Sequence, residues 1–291
     1  MIRPIHPFPA RMAPELALTE LRRLRTPGVV LDPMVGSGTV VRQASQLGHR
    51  AQGFDLDPLA VLMSKVWTTP VDQSHLRSFC RRAMNDIKGT STVRLPWIDD
   101  DVEMCRFTEY WFAEPQRNDL RRIAFVLAGL HESKRRGQCR AAINFLQLAL
   151  SRIIITKNQG ASLGRDISHS RPHKVAERSI FDVIAAFERS IGQMQQLLAK
   201  FPPVGNVNVD IGDARSLTSI ENTSIDAVLT SPPYLNAIDY MRGHKLSLVW
   251  LGYRLADLRQ LRSSSIGAER STKNRGGGAT FRRDPNVYVR R

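Results

Sequence analysis

The stretch "GVVLDPMVGSGTVVRQASQLGHRAQGFDLDP" (residues 28–58) decides the fold of this chain. Its first part, residues 28–35, is a short apolar run typical of a buried strand, and it leads directly into "GSGT" (Gly36 to Thr39). An apolar-periodic helix closed by Gly48 follows, and then a second strand ending in acidic residues at "GFDLDP" (Gly53 to Pro58). A strand, a glycine loop, a helix and a second strand with an acid predict the opening of a parallel, doubly wound α/β sheet.

The rest of the chain divides into three parts. From about residue 72 to 200 the pattern is helical, interrupted by a polar segment rich in Gly, Ser, Arg and His. Sheet patterns return at "VGNVNVDIGDARSL" and "SIDAVLTSPPY", and the chain ends in a Gly/Arg-rich stretch without apolar periodicity. We therefore predict a sheet domain over 1–70 and 201–255, a helical insertion over 71–200, and a basic, disordered tail over 256–291.

The overall charge indicates a polyanionic partner. Among 291 residues, 42 Lys and Arg exceed 27 Asp and Glu, which gives a net charge of +15. A surplus of this size attracts nucleic acid, although a proteome of generally high pI would also explain it. No apolar run approaches the ~18 residues of a membrane span, and the N-terminus lacks a secretory signal, so we expect a cytoplasmic protein. The scattered cysteines, Cys80, Cys105 and Cys139, predict neither a disulfide framework nor a zinc site.

Glycines and acids at successive strand ends suggest an adenosine-containing cofactor. Gly36 and Gly38 at a strand-to-helix turn let the backbone approach a ligand closely. Asp55 or Asp57, after the second strand, could accept hydrogen bonds from both ribose hydroxyls, and Asp213 could accept one from an adenine amino group. For each acid alone, a helix N-cap or a solvated loop carboxylate is the alternative interpretation.

The segment "TSPPYLNAIDY" (Thr230 to Tyr240) ends a predicted strand in a stiff hook. Proline fixes φ and lacks an N–H, so a Pro-Pro pair cannot continue a sheet and instead holds its neighbours in an extended geometry. The hook therefore holds Ser231 and Tyr234 where open α/β sheets bind ligands. Taken alone, a Pro-Pro pair is equally consistent with a rigid strand exit that has no chemical role.

Five blocks in sequence order carry a resemblance: "HPFPARM" (His6 to Met12), "DPMVGSGT" (Asp32 to Thr39), "GFDLDP" (Gly53 to Pro58), "GDAR" (Gly212 to Arg215) and "TSPPY" (Thr230 to Tyr234). Together they resemble the S-adenosylmethionine-dependent DNA amino-methyltransferases, particularly the N4-cytosine type. The resemblance implies a Rossmann-like doubly wound methyltransferase sheet and S-adenosylmethionine as the cofactor. The implied cofactor-binding residues are Phe8, Pro9, Ala10, Asp32, Pro33, Gly36, Ser37, Gly38, Thr39, Asp55, Asp57, Asp213 and Ala214.

The hook resembles the catalytic motif of that family, which begins with Asp or Asn in adenine-specific relatives. The implied catalytic residues are Ser231, Pro232, Pro233 and Tyr234. An exocyclic base amine is a poor nucleophile, and oxygens of Ser231 and Pro232 would hold its protons and orient its lone pair. Tyr234 would stack on a target base flipped out of double-stranded DNA. No metal is required, and His169 and His173 are not expected to be ligands.

The helical insertion separates the acid after the second strand from Asp213, and it is a candidate DNA-recognition region. Its segment "GRDISHSRPHK" (residues 164–174) offers Arg165, Arg171 and Lys174 to phosphates or guanine. A solvated basic loop explains the same residues equally well.

The chain departs from the family after the hook, where about three more strands are expected. The sequence continues for 291 − 234 = 57 residues, and the last twenty or so do not resemble strand and helix. We therefore predict a sheet without its C-terminal strands. There are three explanations: a truncated chain, completion by a partner chain, or a different closure of the sheet. An N6-adenine or RNA amino-methyltransferase and a binding remnant without turnover are the alternative functions. A homodimer or a complementing C-terminal partner chain is the expected assembly.

Overall fold

The computed structural model describes residues 5–6, 12–25, 27–91, 93–133, 136–156, 159–165, 172–232 and 239–265. Within these ranges the strands are β1 (Val29–Asp32), β2 (Arg50–Asp55), β3 (Gly164–Arg165), β4 (His173–Lys174), β5 (Val207–Ile211) and β6 (Ala227–Val228). The helices are α1 (Pro14–Leu21), α2 (Thr39–Gln46), α3 (Pro58–Thr68), α4 (Gln73–Gly89), α5 (Pro96–Asp99), α6 (Val102–Trp111), α7 (Glu114–Glu132), α8 (Gly137–Ile154), α9 (Val183–Lys200), α10 (Tyr240–Leu248) and α11 (Leu255–Ser264), with a 3₁₀ turn at Val249–Leu251.

Four parallel strands form the main sheet of the described chain, in the order β5-β2-β1-β6. Val30 of β1 pairs with Ala51 of β2 on one side and with Ala227 of β6 on the other, and Ala51 pairs in turn with Val207 of β5. The chain thus runs outward through β1, β2 and β5 and then crosses back to place β6 beside β1. This order creates a topological switch point between β1 and β6, and it confirms the predicted α/β fold with a Rossmann-like parallel sheet.

The sheet belongs to the first of two compact units, formed in the described chain by residues up to Pro70 and by 196–232. Its apolar core joins one face of the sheet to α1, α2 and α3. Burial of these small, branched side chains fixes the helices against the strands and so fixes the loops between them. The fully buried members of this core are Ala17, Leu21, Val30, Val35, Val40, Val41, Ala44, Ala51, Val61 and Val209.

A buried arginine fastens the chain where it returns from the insertion to the sheet. The Arg42 side chain is 1% exposed, and it donates to the carbonyl oxygens of Trp67 (2.7 Å), Phe201 (2.8 Å) and Pro202 (3.0 Å). Burial lowers the pKa of Arg42 to about 10. Arg42 therefore ties the end of α3 to the segment that leads into β5 and helps to position β5 beside β2.

The second unit is helical and comprises, in the described chain, residues 71–195 and 239–264. The predicted helices in "QRNDLRRIAFVLAGL", "AAINFLQLALSRIII" and "RSIFDVIAAFERSIGQMQQLLAKF" are confirmed as α7, α8 and α9. Trp97 of α5 donates its indole N–H to the carbonyl of Val249 (2.9 Å), and Phe112 meets Trp250 edge to face with ring centroids 5.1 Å apart. The segment after the hook therefore packs into this helical unit.

Two boundaries differ from those predicted. Residues 239–255, assigned from the sequence to the sheet domain, belong to the helical unit, because Trp250 and its neighbours fill that unit's core. Residues 256–264 were expected to begin the disordered tail, but they lie in α11, where Leu255, Leu258 and Leu261 are buried at helical spacing. Gly252, with φ +88°, separates α11 from the 3₁₀ turn before it.

Candidate active site

The glycine loop (Gly36–Thr39) follows β1 and is held tightly against α3. Gly38 has φ +84°, and a Cβ at this position would lie 2.8 Å from Ser64 Oγ and 3.0 Å from the Ser64 Cα. The Ser64 hydroxyl also donates to the Gly36 carbonyl oxygen at 2.9 Å. Because no side chain fits at Gly38, a glycine is required for the loop to pack this closely on α3.

The hydroxyl groups of Ser37 and Thr39, in the same loop, are buried and have no hydrogen-bond partner among the described residues. Buried polar atoms are normally hydrogen-bonded, so two orphan hydroxyls in one short loop need an explanation. They leave hydrogen-bonding capacity at the loop that the sequence assigns to a cofactor.

Asp55, at the end of β2, joins the glycine loop to the following turn. Its Oδ2 accepts from the Gly36 N–H and its Oδ1 from the Asp57 N–H, both at 2.9 Å. A carboxylate has about four acceptor sites and is a suitable acceptor for hydroxyl donors. The structure therefore brings together the predicted loop and the first predicted ribose acid.

Asp57 caps a helix. Its Oδ1 accepts from the Leu59 N–H at 2.8 Å, which makes Asp57 the N-cap of α3. A helix N-cap is the alternative to ligand binding that the sequence offers for each of these acids. A ribose role for Asp57 stays a prediction.

Asp213 lies two residues beyond β5, beside the end of β2, where the Gly212 N–H donates to the Asp55 carbonyl oxygen at 3.1 Å. The Arg215 guanidinium grips both carboxylate oxygens of Asp213, and its hydrogen bonds hold the pKa of Asp213 below its usual value. Asp213 is thus ionised and oriented at the same sheet edge, with Ala214 half-buried next to it. The adenine role of Asp213 and the cofactor-binding role of Ala214 stay predictions.

The hook follows β6, directly across the switch point from β1. The Leu229 N–H donates to the Leu31 carbonyl oxygen at 3.0 Å. The hydrogen bonding between β6 and β1 therefore continues to the residue before the hook. Ser231 and Pro232 are exposed at this end of the sheet, whereas Pro233 and Tyr234 lie outside the described residues. Phe8, Pro9 and Ala10 also lie outside them, and Pro33 is half-buried just after β1.

Asp32, the last residue of β1, is a buried acid beside the switch point. It is 2% exposed, and burial raises its pKa to about 7, helped by the nearby Asp55 carboxylate. The nearby Thr230 side chain and a hydrogen bond from the Met34 N–H (3.2 Å) oppose that rise, although the Thr230 hydroxyl has no hydrogen-bond partner of good geometry among the described residues. The contact between Asp32 and Thr230 was missed from the sequence, although both residues stand in the quoted blocks, because it depends on which strand lies beside β1.

Asp32 should make the protein less stable as the pH rises from about 4 to 7. In that range the folded protein holds a proton on Asp32 that the unfolded chain, with a carboxyl pKa near 3.8, has lost. Its contribution is therefore full below pH 4, falls as the pH approaches 7 and is constant above it, at most about 4 kcal/mol in all. Denaturant unfolding from pH 4 to 8 measures this slope, and Asp32→Asn should remove it. Asp210→Asn, at an exposed position of β5, is the control, and an unchanged slope in Asp32→Asn would contradict the assignment.

Two of the three predicted DNA-contact residues, Arg165 and Lys174, lie in the second unit. Arg165 is exposed in β3, and Lys174 of β4 pairs with Glu177 at 2.6 Å and lies over the Tyr110 ring, 5.0 Å from its centroid. Arg171 lies outside the described residues, as does His169. In the described ranges, no three His, Cys, Asp or Glu side chains are arranged to hold a metal ion. None of the described helices has both the length and the apolar composition needed to cross a membrane.

Curated proteins similar to this chain share one class of names. Type II methyltransferase M.BsoBI of Geobacillus stearothermophilus is 26% identical over 275 residues, which cover 84% of this chain and 51% of that protein. The chain is similar to Type II methyltransferases. M.MvaI of Kocuria varians is 25% identical over 292 residues (91% of this chain, 61% of that protein), and M.AvaI of Nostoc sp. is 24% identical over 267 (84% and 52%).

This Type II methyltransferase-like chain spans between about half and three fifths of the length of these curated relatives. No protein-family model matches the chain. The similarity extends over most of the chain, including a large part of the helical region for which the sequence blocks gave no match.

Proposed function

We propose that this chain is an S-adenosylmethionine-dependent DNA methyltransferase that modifies the N4 amino group of cytosine. The observation that carries the proposal is the meeting of the glycine loop, Asp55 and the Ser231 hook at the carboxyl ends of β2, β1 and β6, around the switch point. The names of the relatives support the reaction class. Their Type II designation suggests that the methylation is the modification half of a restriction–modification system.

The residues at the glycine loop fit the cofactor. Gly38 lets the loop pack directly on Ser64 of α3, the Ser37 and Thr39 hydroxyls have unused hydrogen-bonding capacity, and Asp55 can accept from ribose hydroxyls. We expect these residues, with Asp213 near the adenine, to hold S-adenosylmethionine, which supplies an electrophilic methyl group when bound. The remaining assignments to this site (Phe8, Pro9, Ala10, Asp32, Pro33, Gly36, Asp57 and Ala214) belong to the same proposal.

The hook acts on the base. The lone pair of an exocyclic amine is delocalised into the ring, so the amine reacts only when its protons are held and its lone pair is directed at the methyl group. Ser231 Oγ and the Pro232 carbonyl oxygen are the proposed hydrogen-bond acceptors for the two amine N–H groups. As the new nitrogen–carbon bond forms, the bond between the methyl group and the cofactor sulfur would break, and one amine proton would be released to water. Pro233 keeps the hook rigid, and Tyr234 stacks on the base once it has left the duplex. Correct positioning supplies most of the rate enhancement in such a displacement.

The choice of cytosine rests on Ser231 as the first residue of the hook, by family resemblance. The proposed DNA contacts are Arg165, Arg171 and Lys174, which would position the duplex through its phosphates. A net charge of +15 favours such contacts.

The product of the reaction tests the proposal. We expect the purified chain, incubated with duplex DNA and cofactor carrying a deuterated methyl group, to yield labelled N4-methyldeoxycytidine on nucleoside mass spectrometry. Parallel arms contain single-stranded DNA and RNA, and calorimetry with S-adenosylmethionine measures cofactor binding separately. A Ser231→Ala protein in the same assay controls for contaminating methyltransferases.

The other outcomes are equally informative. Labelled N6-methyldeoxyadenosine would overturn the base assignment, and product confined to RNA would overturn the DNA assignment. A protein that binds the cofactor but forms no product would overturn the proposed activity and favour a binding remnant. Sedimentation of the purified chain tests the proposed homodimer, and co-purification with a second polypeptide tests the complementing partner chain.

A further inference from the structure

Helix α6 carries three aromatic side chains on one continuous surface of the helical unit. Phe107 and Trp111 have ring centroids 6.4 Å apart, and Trp111 meets Tyr110 edge to face at 5.1 Å. Tyr110 is 54% exposed, whereas Phe107 and Trp111 are half-buried. Gly164 of β3 packs so closely on Trp111 that a Cβ there would lie 2.9 Å from Cζ3 of the indole ring. The short β3–β4 hairpin is therefore seated on this helix.

A lysine lies against each end of this aromatic row. Lys174 of β4 is 5.0 Å from the Tyr110 ring centroid, and Lys245 of α10 is 5.5 Å from that of Phe107. A cation over a ring is attracted by the ring quadrupole and is held in a preferred place. The contacts run in sequence from Lys174 through Tyr110, Trp111 and Phe107 to Lys245, so the two ammonium groups belong to one surface.

The surroundings of Lys245 are strongly positive. Arg242 and Arg262 both reach the Asp239 carboxylate, at 2.9 and 2.6 Å, and Arg259 of α11 pairs with Glu103, one turn before Phe107 on α6. Burial is the main cause that lowers the pKa of Lys245. Repulsion from Arg242, Arg259 and Arg262 lowers it further, and attraction by Asp239 opposes this effect. A partly desolvated cation in such a field is stabilised by an added anion.

We propose that this surface, defined by Phe107, Tyr110, Lys174, Lys245 and Arg259, binds the phosphate backbone of duplex DNA. The proposal rests on the proposed function and adds contacts from α6, α10 and α11 to those predicted in the basic loop. Two ammonium groups and an arginine on one surface suit a row of phosphates, since phosphate oxygens can replace Glu177 beside Lys174 and Glu103 beside Arg259, and each phosphate contact releases a counterion. The positive charge around Lys245 is complementary to the negative charge of the DNA backbone.

Salt-dependent binding of a labelled duplex, measured by fluorescence anisotropy, tests the surface. Lys245→Gln and Arg259→Gln should each weaken binding several-fold and should each reduce the slope of log K against log salt by about 0.9, the value for one phosphate contact. Phe107→Leu keeps an apolar side chain but removes the ring, and it should weaken binding less than Lys245→Gln does. Lys88→Gln is the matched control, because Lys88 is an exposed lysine of the same unit paired with Glu188 at 3.1 Å. Circular dichroism confirms that each variant is folded.

The results separate this inference from the proposed function. Slopes equal to wild type in both Lys245→Gln and Arg259→Gln, in a protein that methylates DNA, would overturn the surface and leave the activity standing. Reduced slopes in a protein that forms no methylated product would support the surface and overturn the activity. A reduction of the salt slope by the same amount in Lys88→Gln would also contradict the proposed surface. It would show that the slope depends on the net charge of the protein and not on the position of the lysine.

Discussion

Replacement of Ser231 by alanine is expected to lower the rate of methyl transfer by about 100-fold, while cofactor affinity stays close to that of the wild type. The Ser231 hydroxyl oxygen is the proposed acceptor of a hydrogen bond from the target amine, and a misdirected amine loses on the order of 10² in rate. An interaction made mainly in the transition state lowers kcat and kcat/KM together and leaves KM little changed. Single-turnover transfer of a labelled methyl group to duplex DNA, with calorimetry of cofactor binding, measures both quantities.

The matched control for this variant is Ser224→Ala. Ser224 precedes β6 as Ser231 follows it, and its hydroxyl donates to the Glu221 carbonyl oxygen at 2.7 Å, at the opposite end of the strand. The rate should be unchanged in this variant. Full activity in Ser231→Ala would remove the hydroxyl from the mechanism and leave the Pro232 carbonyl as the sole proposed acceptor in the described part of the hook.

Gly38→Ala is expected to lower the free energy of unfolding by about 2–4 kcal/mol and cofactor affinity by about tenfold. A left-handed conformation costs roughly 1–2 kcal/mol for a residue with a Cβ. The new methyl group would also lie 3.0 Å from the Ser64 Cα, which α3 holds in place, so the glycine loop must move. Thermal and denaturant unfolding measure the first effect, and calorimetry with S-adenosylmethionine measures the second.

Gly129→Ala is the control for Gly38→Ala, because it is expected to raise the free energy of unfolding instead of lowering it. Gly129 lies in α7, and nothing lies within 4 Å of a Cβ built there. Alanine at this position should stabilise the protein by about 0.5–1 kcal/mol through helix propensity alone. If Gly38→Ala were as stable as Gly129→Ala and bound the cofactor normally, the close approach of the loop to α3 would have no role in the site.

The first half of the site could be predicted from the sequence because local rules determine it. Parallel strands joined by a helix bring their carboxyl ends to one edge, so the glycine loop and Asp55 had to meet, and they do through the Gly36 N–H. The position of β6 beside β1 is a long-range choice that no local pattern contains. The contact of Thr230 with the buried Asp32, and the high pKa that follows from that burial, therefore emerged only from the structure.

The boundaries of the helical unit were predicted less well for a similar reason. Apolar spacing located α7, α8 and α9 because each has its own buried face. The same spacing cannot tell which partner covers α10 and α11. Phe112 and Trp250 pack together although 250 − 112 = 138 residues separate them, and this contact assigns the segment after the hook to the helical unit.

The strand order has a consequence for how the protein folds during synthesis. Ala51 of β2 pairs with Val207 of β5, across 207 − 51 = 156 residues, and Val30 of β1 pairs with Ala227 of β6, across 227 − 30 = 197. β1, β2 and the helices of the insertion leave the ribosome first, and local helical contacts form faster than distant strand pairs. β1 and β2 must therefore wait, with the two outer edges of the pair unpaired, until residues 71–195 of the helical unit have been made and β5 and β6 follow. This delay exposes β1 and β2 to aggregation, which makes early burial of α1, α2 and α3 on one face of the nascent sheet a protection for the chain.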